Sequence, residues 1–380
     1  MKIKVLVSIL ALIAILTATG CENDNGASQM PELEESFSST GGESMSCQVS
    51  VYVGEDKLLH MYDPKQGDSI ILCNKADCSH EPYDEQRNPD PTCEAALNKE
   101  LFSSCVPVLS NNYLYLFGVE NMSQGVVYRE NLDGSGRTRM YSMDYQLGMG
   151  SSVYVKNNVA YAEANIPIVN EDNLGGAGTN SSYSLMLQIN LETGETKELS
   201  PIRKEKFQGV SLLEIKGNQL YYVLSYRKLQ GEEKDYSKTS QFCSVYGYDI
   251  KSGKQTKLFL EEDLTGLTPV GMTGSSLCVC NEKTGEAFEI SLKDKSKKSI
   301  YLPPNKDVIY FVFNNQWIVG DMSKEQFSCL KDNELEVLPD IVSFSKTFGN
   351  YVEYYLKDGT CQVIYGTLLS DKPIVVLEKK

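Results

Sequence analysis

The stretch from Gly217 to Phe259 constrains the fold more than any other. It reads GNQLYYVLSY, then a charged insert, then SVYGYDIKSGKQTKLF. Gly217-Asn218 is a two-residue signal for a tight β-hairpin turn. Residues 220–224 are apolar and β-rich, and 245–250 alternate apolar and polar side chains as a half-buried strand does. Lys251-Ser252-Gly253-Lys254 predicts a second turn, and residues 256–260 a fourth short strand. Four short antiparallel strands form a small sheet that must bury its faces against something else.

The same plan returns along the chain. Inner turns are predicted at Asn111-Asn112, Asn157-Asn158, Gly217-Asn218, Gly274-Ser275, Asn314-Asn315 and Gly349-Asn350, where Asn and Gly tolerate the positive φ such turns demand. Outer hairpins are predicted at 63–67, 131–134, 190–194 and 249–253, each with an acidic or amide residue followed by Gly. Weaker forms stand at 292–295, 331–333 and 369–372, and the first unit, 48–73, lacks a clear inner strand. A spacing of about 35 to 55 residues suits the blades of a propeller, and packing blades around an axis buries faces that one blade cannot. The expected fold is therefore all-β, a β-propeller of seven four-stranded blades, with six or eight as the neighbouring counts. Over roughly 48–377 these repeats resemble the TolB-like and quinoprotein-like propellers, whose blades carry a similar aspartate–glycine outer hairpin. That likeness implies the fold and leaves function open, because such propellers host many unrelated activities.

The N-terminus predicts an address. Lys2 and Lys4 precede an apolar run at 5–16 that is short for a membrane span, and small residues follow. Ala18-Thr19-Gly20-Cys21 resembles the lipobox of bacterial lipoproteins, with Ala where Leu is commoner. The resemblance implies a signal peptide over 1–20, cleavage before Cys21, lipid attached to its sulfur, and a protein held on the extracytoplasmic face of the cell membrane. Residues 21–46, rich in Ser, Gly, Asn and Glu, are expected to form a disordered tether, and 47–380 the propeller domain. Without Lys2 and Lys4 the chain carries 34 basic against 51 acidic side chains, a net charge of −17. That balance argues against nucleic acid and anionic membrane surfaces as partners.

In an antiparallel meander the first and third turns emerge at one end, and the middle loop and the crossing to the next blade at the other. The first and third turns here are short. The long segments, 79–104, 120–125, 165–182 and 227–241, all fall at the other end. Long loops on one rim of a rigid scaffold are common binding surfaces. The rim candidates are Asp84, Glu85, Asn170, Glu171, Asp172, Glu232, Glu233 and Tyr236.

The densest chemistry is Cys73-Asn-Lys-Ala-Asp-Cys78-Ser-His80, followed by Cys93. Three thiols and an imidazole are the ligand types of a Cys₃His zinc site, although C-x4-C-x-H-x12-C is no standard ribbon or finger. The stretch resembles a cysteine- and histidine-containing segment of other bacterial lipoproteins of this propeller-like kind. Disulfides among Cys73, Cys78, Cys93 and Cys105 suit an exported protein with ten cysteines beyond Cys21. Reduced thiols are the third reading. Cys243, Cys278, Cys280, Cys329 and Cys361 read as small apolar packing residues.

Nucleophilic catalysis has little to build on. The histidines are His60, which reads as a sheet residue, and His80, and no nucleophile elbow, P-loop or HExxH motif occurs. Acid pairs on the predicted loops have the residue types of a glycosidase or lyase, yet with 51 acids adjacent pairs are expected anyway. Residues 170–173 offer oxygen ligands for Ca²⁺ without EF-hand spacing. No cofactor is expected, with zinc or calcium as alternatives. The function expected is a lipid-anchored binding or interaction module for a protein, peptide or glycan rather than an enzyme. The alternatives are a carbohydrate-active enzyme with carboxylates near the propeller axis and a structural subunit of an envelope assembly.

Overall fold

The computed structural model describes 35–379 apart from 40–42, 46–49, 64–67, 103, 112, 121–123, 148–150, 168–181, 202–206, 230–238, 282–283, 301–307, 314, 332–333, 349–350, 359–360 and 366–373. The chain divides into two compact units, 1–160 with 189–195, and 161–188 with 196–380. Cys21 and the whole of 1–20 lie outside the described residues, as do the rim candidates Asn170, Glu171, Asp172, Glu232, Glu233 and Tyr236.

The first unit holds β1 (Glu35–Ser39), β2 (Glu43–Met45), β3 (Ser50–Val53), β4 (Leu59–Asp63), β5 (Asp68–Ile71), β6 (Val106–Ser110), β7 (Tyr113–Glu120), β8 (Gln124–Asn131), β9 (Thr138–Met143) and β10 (Val153–Lys156). A single helical turn, α1 (Lys99–Phe102), precedes β6. The strands β6 to β9 make one antiparallel sheet in chain order, and β2 to β5 are likewise neighbours in chain order. The inner strand that the first repeat lacked is β2. It pairs with β3 through Met45↔Ser50 and with β1 through Phe37↔Met45.

This corrects the expected tether at 35–39 and 43–45; 21–34, 40–42 and 46 lie outside the described residues. Of residues 21–46, the stretches 35–39 and 43–45 are strands, and β1 also pairs with β10 along Glu35↔Lys156 to Ser38↔Val153. Composition misled because a strand with partners on both sides is held by backbone hydrogen bonds, which polar side chains do not signal. Ser36 is buried and donates its hydroxyl to the Leu109 carbonyl on β6.

The second unit repeats the meander. Four four-stranded sheets lie within it, at 207–259, 268–300, 308–338 and 341–379. The first strands of these four sheets converge: Phe207–Lys216 packs on Thr268–Thr273 and on Ile341–Phe348, and Val308–Phe313 packs on the same two. Their first turns meet as well. Lys216 Nζ donates to the Gly274 carbonyl at 2.6 Å and to Asn315 Oδ1 at 3.1 Å, while the Gly274 N–H donates to the same Asn315 oxygen at 2.7 Å. The all-β class and the blade-by-blade plan of a propeller are thus as the repeats predict.

The turn chemistry holds wherever it is described. Asn157 and Asn158 have φ of 50° and 63°, the pair of left-handed residues a type I′ turn needs. Gly217, Gly274 and Asn315 are also left-handed, and so are the outer-hairpin residues Gly134, Gly194, Gly253 and Lys295. Two loop expectations shrink. Glu120, Gln124 and Gly125 are strand, paired as Val119↔Gly125 and Glu120↔Gln124. The ends of 227–241 are paired strand, from Arg227↔Gln241 to Leu229↔Thr239.

Candidate metal centre and the crossing that carries it

Residues 72–105, the crossing from β5 to β6, carry no repeat and yet are packed. Leu72, Cys93, Ala95, Ala96, Leu97 and Leu101 are buried in one cluster with Val51, Leu59 and Met61 of β3 and β4 and with Leu109, Leu114 and Leu116 of β6 and β7. Each fully buried leucine is worth about 1.5–3 kcal/mol of transfer free energy. The peptide groups are satisfied too. Leu59 N–H donates to the Ala95 carbonyl at 2.9 Å. Arg137, entering from the hairpin of β8 and β9, donates Nη2 to the Glu94 carbonyl at 2.6 Å and Nη1 to the Ala96 carbonyl. Three consecutive carbonyls after Cys93 are therefore held from outside the crossing.

On this support four donor atoms meet. One atom each of Cys73, Cys78, His80 and Cys93 lies within 4.8 Å of every other. His80 Nδ1 is 3.6 Å from Cys93 Sγ. His80 adopts φ 54°, an uncommon left-handed conformation for a residue with a Cβ. Its own N–H donates to Cys78 Sγ at 3.4 Å. Cys73 Sγ takes the N–H groups of Lys75 and Glu94, and Cys93 Sγ those of Ala95 and Ala96. Each sulfur thus receives a peptide donor from two residues onward in the chain, a geometry that favours negative charge on sulfur.

The electrostatics split the thiols. For Cys73 burial pushes up, but the N–H donors of Lys75 and Glu94, with hydrogen bonds from Cys78 and Cys93, outweigh it and the thiol sits below its ordinary value. Burial, then the hydrogen bond with Cys78 and the negative charge of Cys73, push Cys93 up to about 12. Cys105, a disulfide candidate alongside Cys73, Cys78 and Cys93, is not among the four; burial pushes it up to about 12. Among the described residues Cys73, Cys78, Cys93 and Cys105 are not joined in disulfides.

The other candidate residues have separate roles. His60 is held by Asp56, at 2.9 and 3.0 Å to its two oxygens, and stacks on Tyr52 with centroids 5.2 Å apart. Asp84 and Glu85 are exposed on the crossing. Asp84 Oδ1 accepts the N–H groups of Gln86 and Arg87 at 2.9 and 2.8 Å, which holds its carboxyl below the usual range. It is thus a turn-forming residue as well as a surface charge. Cys243, Cys278, Cys280 and Cys329 are buried in sheet, as expected of packing residues; the side chain of Cys361 lies outside the described residues. Sequence reasoning missed Arg137, whose only signal was its place after an Asp-Gly hairpin. It also missed an open pocket of about 330 Å³ beside Gln326, Leu338, Asp340 and Lys357, at the loop end of the sheets within 308–338 and 341–379.

No protein-family profile matches the chain, and no curated protein matches it in sequence. Among solved structures, the β-propeller domain of the Trilobed protease from Pyrococcus furiosus is similar at 9% identity and a TM-score of 0.43, covering 92% of this chain and 97% of that one. Prolyl oligopeptidase B from Galerina marginata is similar at 11% identity and 0.47, over 91% of this chain, and the Pyrococcus horikoshii acylaminoacyl peptidase at 10% and 0.47, over 87%. The alignments span 51% of each of these two peptidases, about half their length.

Proposed function

We propose that this chain is a lipid-anchored, extracytoplasmic β-propeller of seven blades whose 72–105 crossing is a recognition platform. The observation that supports it is an exposed polar tip on a rigid base. The tip from Asp84 to Arg87 is solvent-facing. It is fixed by the two N–H bonds to Asp84, by reciprocal backbone bonds between Asp84 and Asn88, and by Asn88 Nδ2 donating to the carbonyls of Glu81 and Pro82. Tyr83 beneath it packs on the partly exposed Phe102, with centroids 5.1 Å apart. A loop ordered before binding loses little conformational entropy on contact. Its acidic groups and the negative charge of the chain favour a basic protein or peptide segment as partner. Attachment through Cys21 keeps the platform at the cell surface.

Cross-linking on intact envelopes tests the reading. The native chain should capture a defined partner, and Glu85→Lys, which leaves the Asp84 turn intact, should lose it. Equal capture by both chains, or turnover of a polysaccharide by the purified protein, overturns the platform. For the anchor, Cys21→Ala should move the protein from membrane to soluble fraction; continued membrane association overturns it.

A further inference from the structure

The four donors on the crossing have a more specific use than packing. A tetrahedral zinc ion with Zn–S near 2.3 Å and Zn–N near 2.0–2.1 Å sets ligand-to-ligand edges of about 3.8 Å between sulfurs and about 3.6 Å between sulfur and nitrogen. The Cys93 Sγ to His80 Nδ1 separation is 3.6 Å, and all four donors lie within 4.8 Å of each other. We infer that Cys73, Cys78, His80 and Cys93 bind a single zinc ion that staples the crossing between the sheets of β2–β5 and β6–β9.

Three features support a metal over a disulfide. A disulfide joins two sulfurs at about 2.04 Å, and would leave the third thiol and the imidazole converging on nothing. His80 holds a left-handed backbone, φ 54°, that aims Nδ1 at the sulfurs, and strain of this kind persists where the surroundings over-determine it. The sulfurs accept peptide N–H groups from Lys75, Glu94, His80, Ala95 and Ala96, which orient them. The carbonyls beside two of those donors are in turn held by Arg137. Three thiolates and one imidazole suit zinc among the common divalent ions. With four protein ligands the coordination is closed, so the ion is structural. The inference stands apart from whether the platform contacts a partner.

The test uses the full chain, exported and purified from membranes in detergent under inert gas. One zinc per chain is expected by elemental analysis. Exchange for cobalt should give tetrahedral absorption with thiolate charge transfer. Cys73, Cys78 and Cys93 should resist alkylation until a chelator is added and then react without prior reduction. Cys78→Ser should lose the stoichiometric zinc, while Cys105→Ser keeps it. Should Cys78→Ser fail to fold, the metal content and alkylation pattern of the native chain still decide. A disulfide between any two of the three in freshly isolated protein overturns the inference. So do three free thiols that alkylate without chelator, with no stoichiometric metal.

Discussion

Arg137 Nε lies 2.6 Å from Glu130 Oε2, and the Glu130 side chain is fully buried. Burial pushes that carboxyl up to about 7 while the Arg137 guanidinium opposes the shift. The two other guanidinium nitrogens hold the carbonyls of Glu94 and Ala96. One side chain therefore neutralises a buried acid of the second sheet and fixes the backbone next to Cys93.

Arg137→Ala should destabilise the protein by about 3–5 kcal/mol, the usual loss when a buried charge is left without its partner. Replacing Glu130 and Arg137 together by leucine should recover only part of that loss, because the carbonyls of Glu94 and Ala96 remain without their donor. Chemical denaturation of the native chain and the two variants measures this; a double variant no more stable than Arg137→Ala would contradict the coupling.

Glu214 should make stability depend on pH. A register shift between Leu212 and Glu214 marks a bulge, and the side chain is buried there. Burial raises its carboxyl to about 7, against the N–H of Ile215 and the charge of Lys216; Tyr221 is its other titratable neighbour. The folded state holds this proton more tightly than the unfolded one. Stability is therefore greatest below about pH 4.5 for this group and falls as pH rises through about 7, by on the order of 3 kcal/mol. Glu214→Gln should flatten the profile over that window relative to the native chain, whose Glu130 contribution is common to both. Parallel profiles would reject the assignment.

Two glycines separate conformation from contact. Both are left-handed, Gly134 at φ 85° and Gly217 at φ 58°. A Cβ on Gly134 would stand 2.1 Å from the Leu72 carbonyl oxygen, whereas one on Gly217 meets nothing within 4 Å. Gly217→Ala should cost about 1–2 kcal/mol, the penalty of the backbone alone. Gly134→Ala should cost several kcal/mol more or prevent folding, because backbone rather than a flexible side chain must move. Thermal unfolding of the two variants decides, and equal losses would refute the contact argument.

The strand cysteines should be chemically silent. Burial pushes Cys278 up to about 12, against its hydrogen bond with Thr273, and raises Cys329 to about 11. Iodoacetamide at pH 8 should leave both unlabelled in the native protein and label both after denaturation. Native labelling of either, located by peptide mass spectrometry, would show that its sheet opens.

Much of this fold was written locally. Asn157-Asn158 and Gly217-Asn218 encode their turns because left-handed backbone is a property of one or two residues, and alternating side chains encode strands because a sheet has two faces. The Cys73–Cys93 constellation was legible as a set of ligand types for the same reason: residue identity carries chemistry wherever it sits. What tertiary structure decided was company. β1 and β2 are strands only because β10 and β3 offer edges. Glu120 and Gln124 are strand because β7 and β8 pair to their ends. Four donors become a centre only when the crossing folds over the sheets and Arg137, forty residues away, holds it there. Those are relations between distant backbone groups, and no local pattern of side chains can state them.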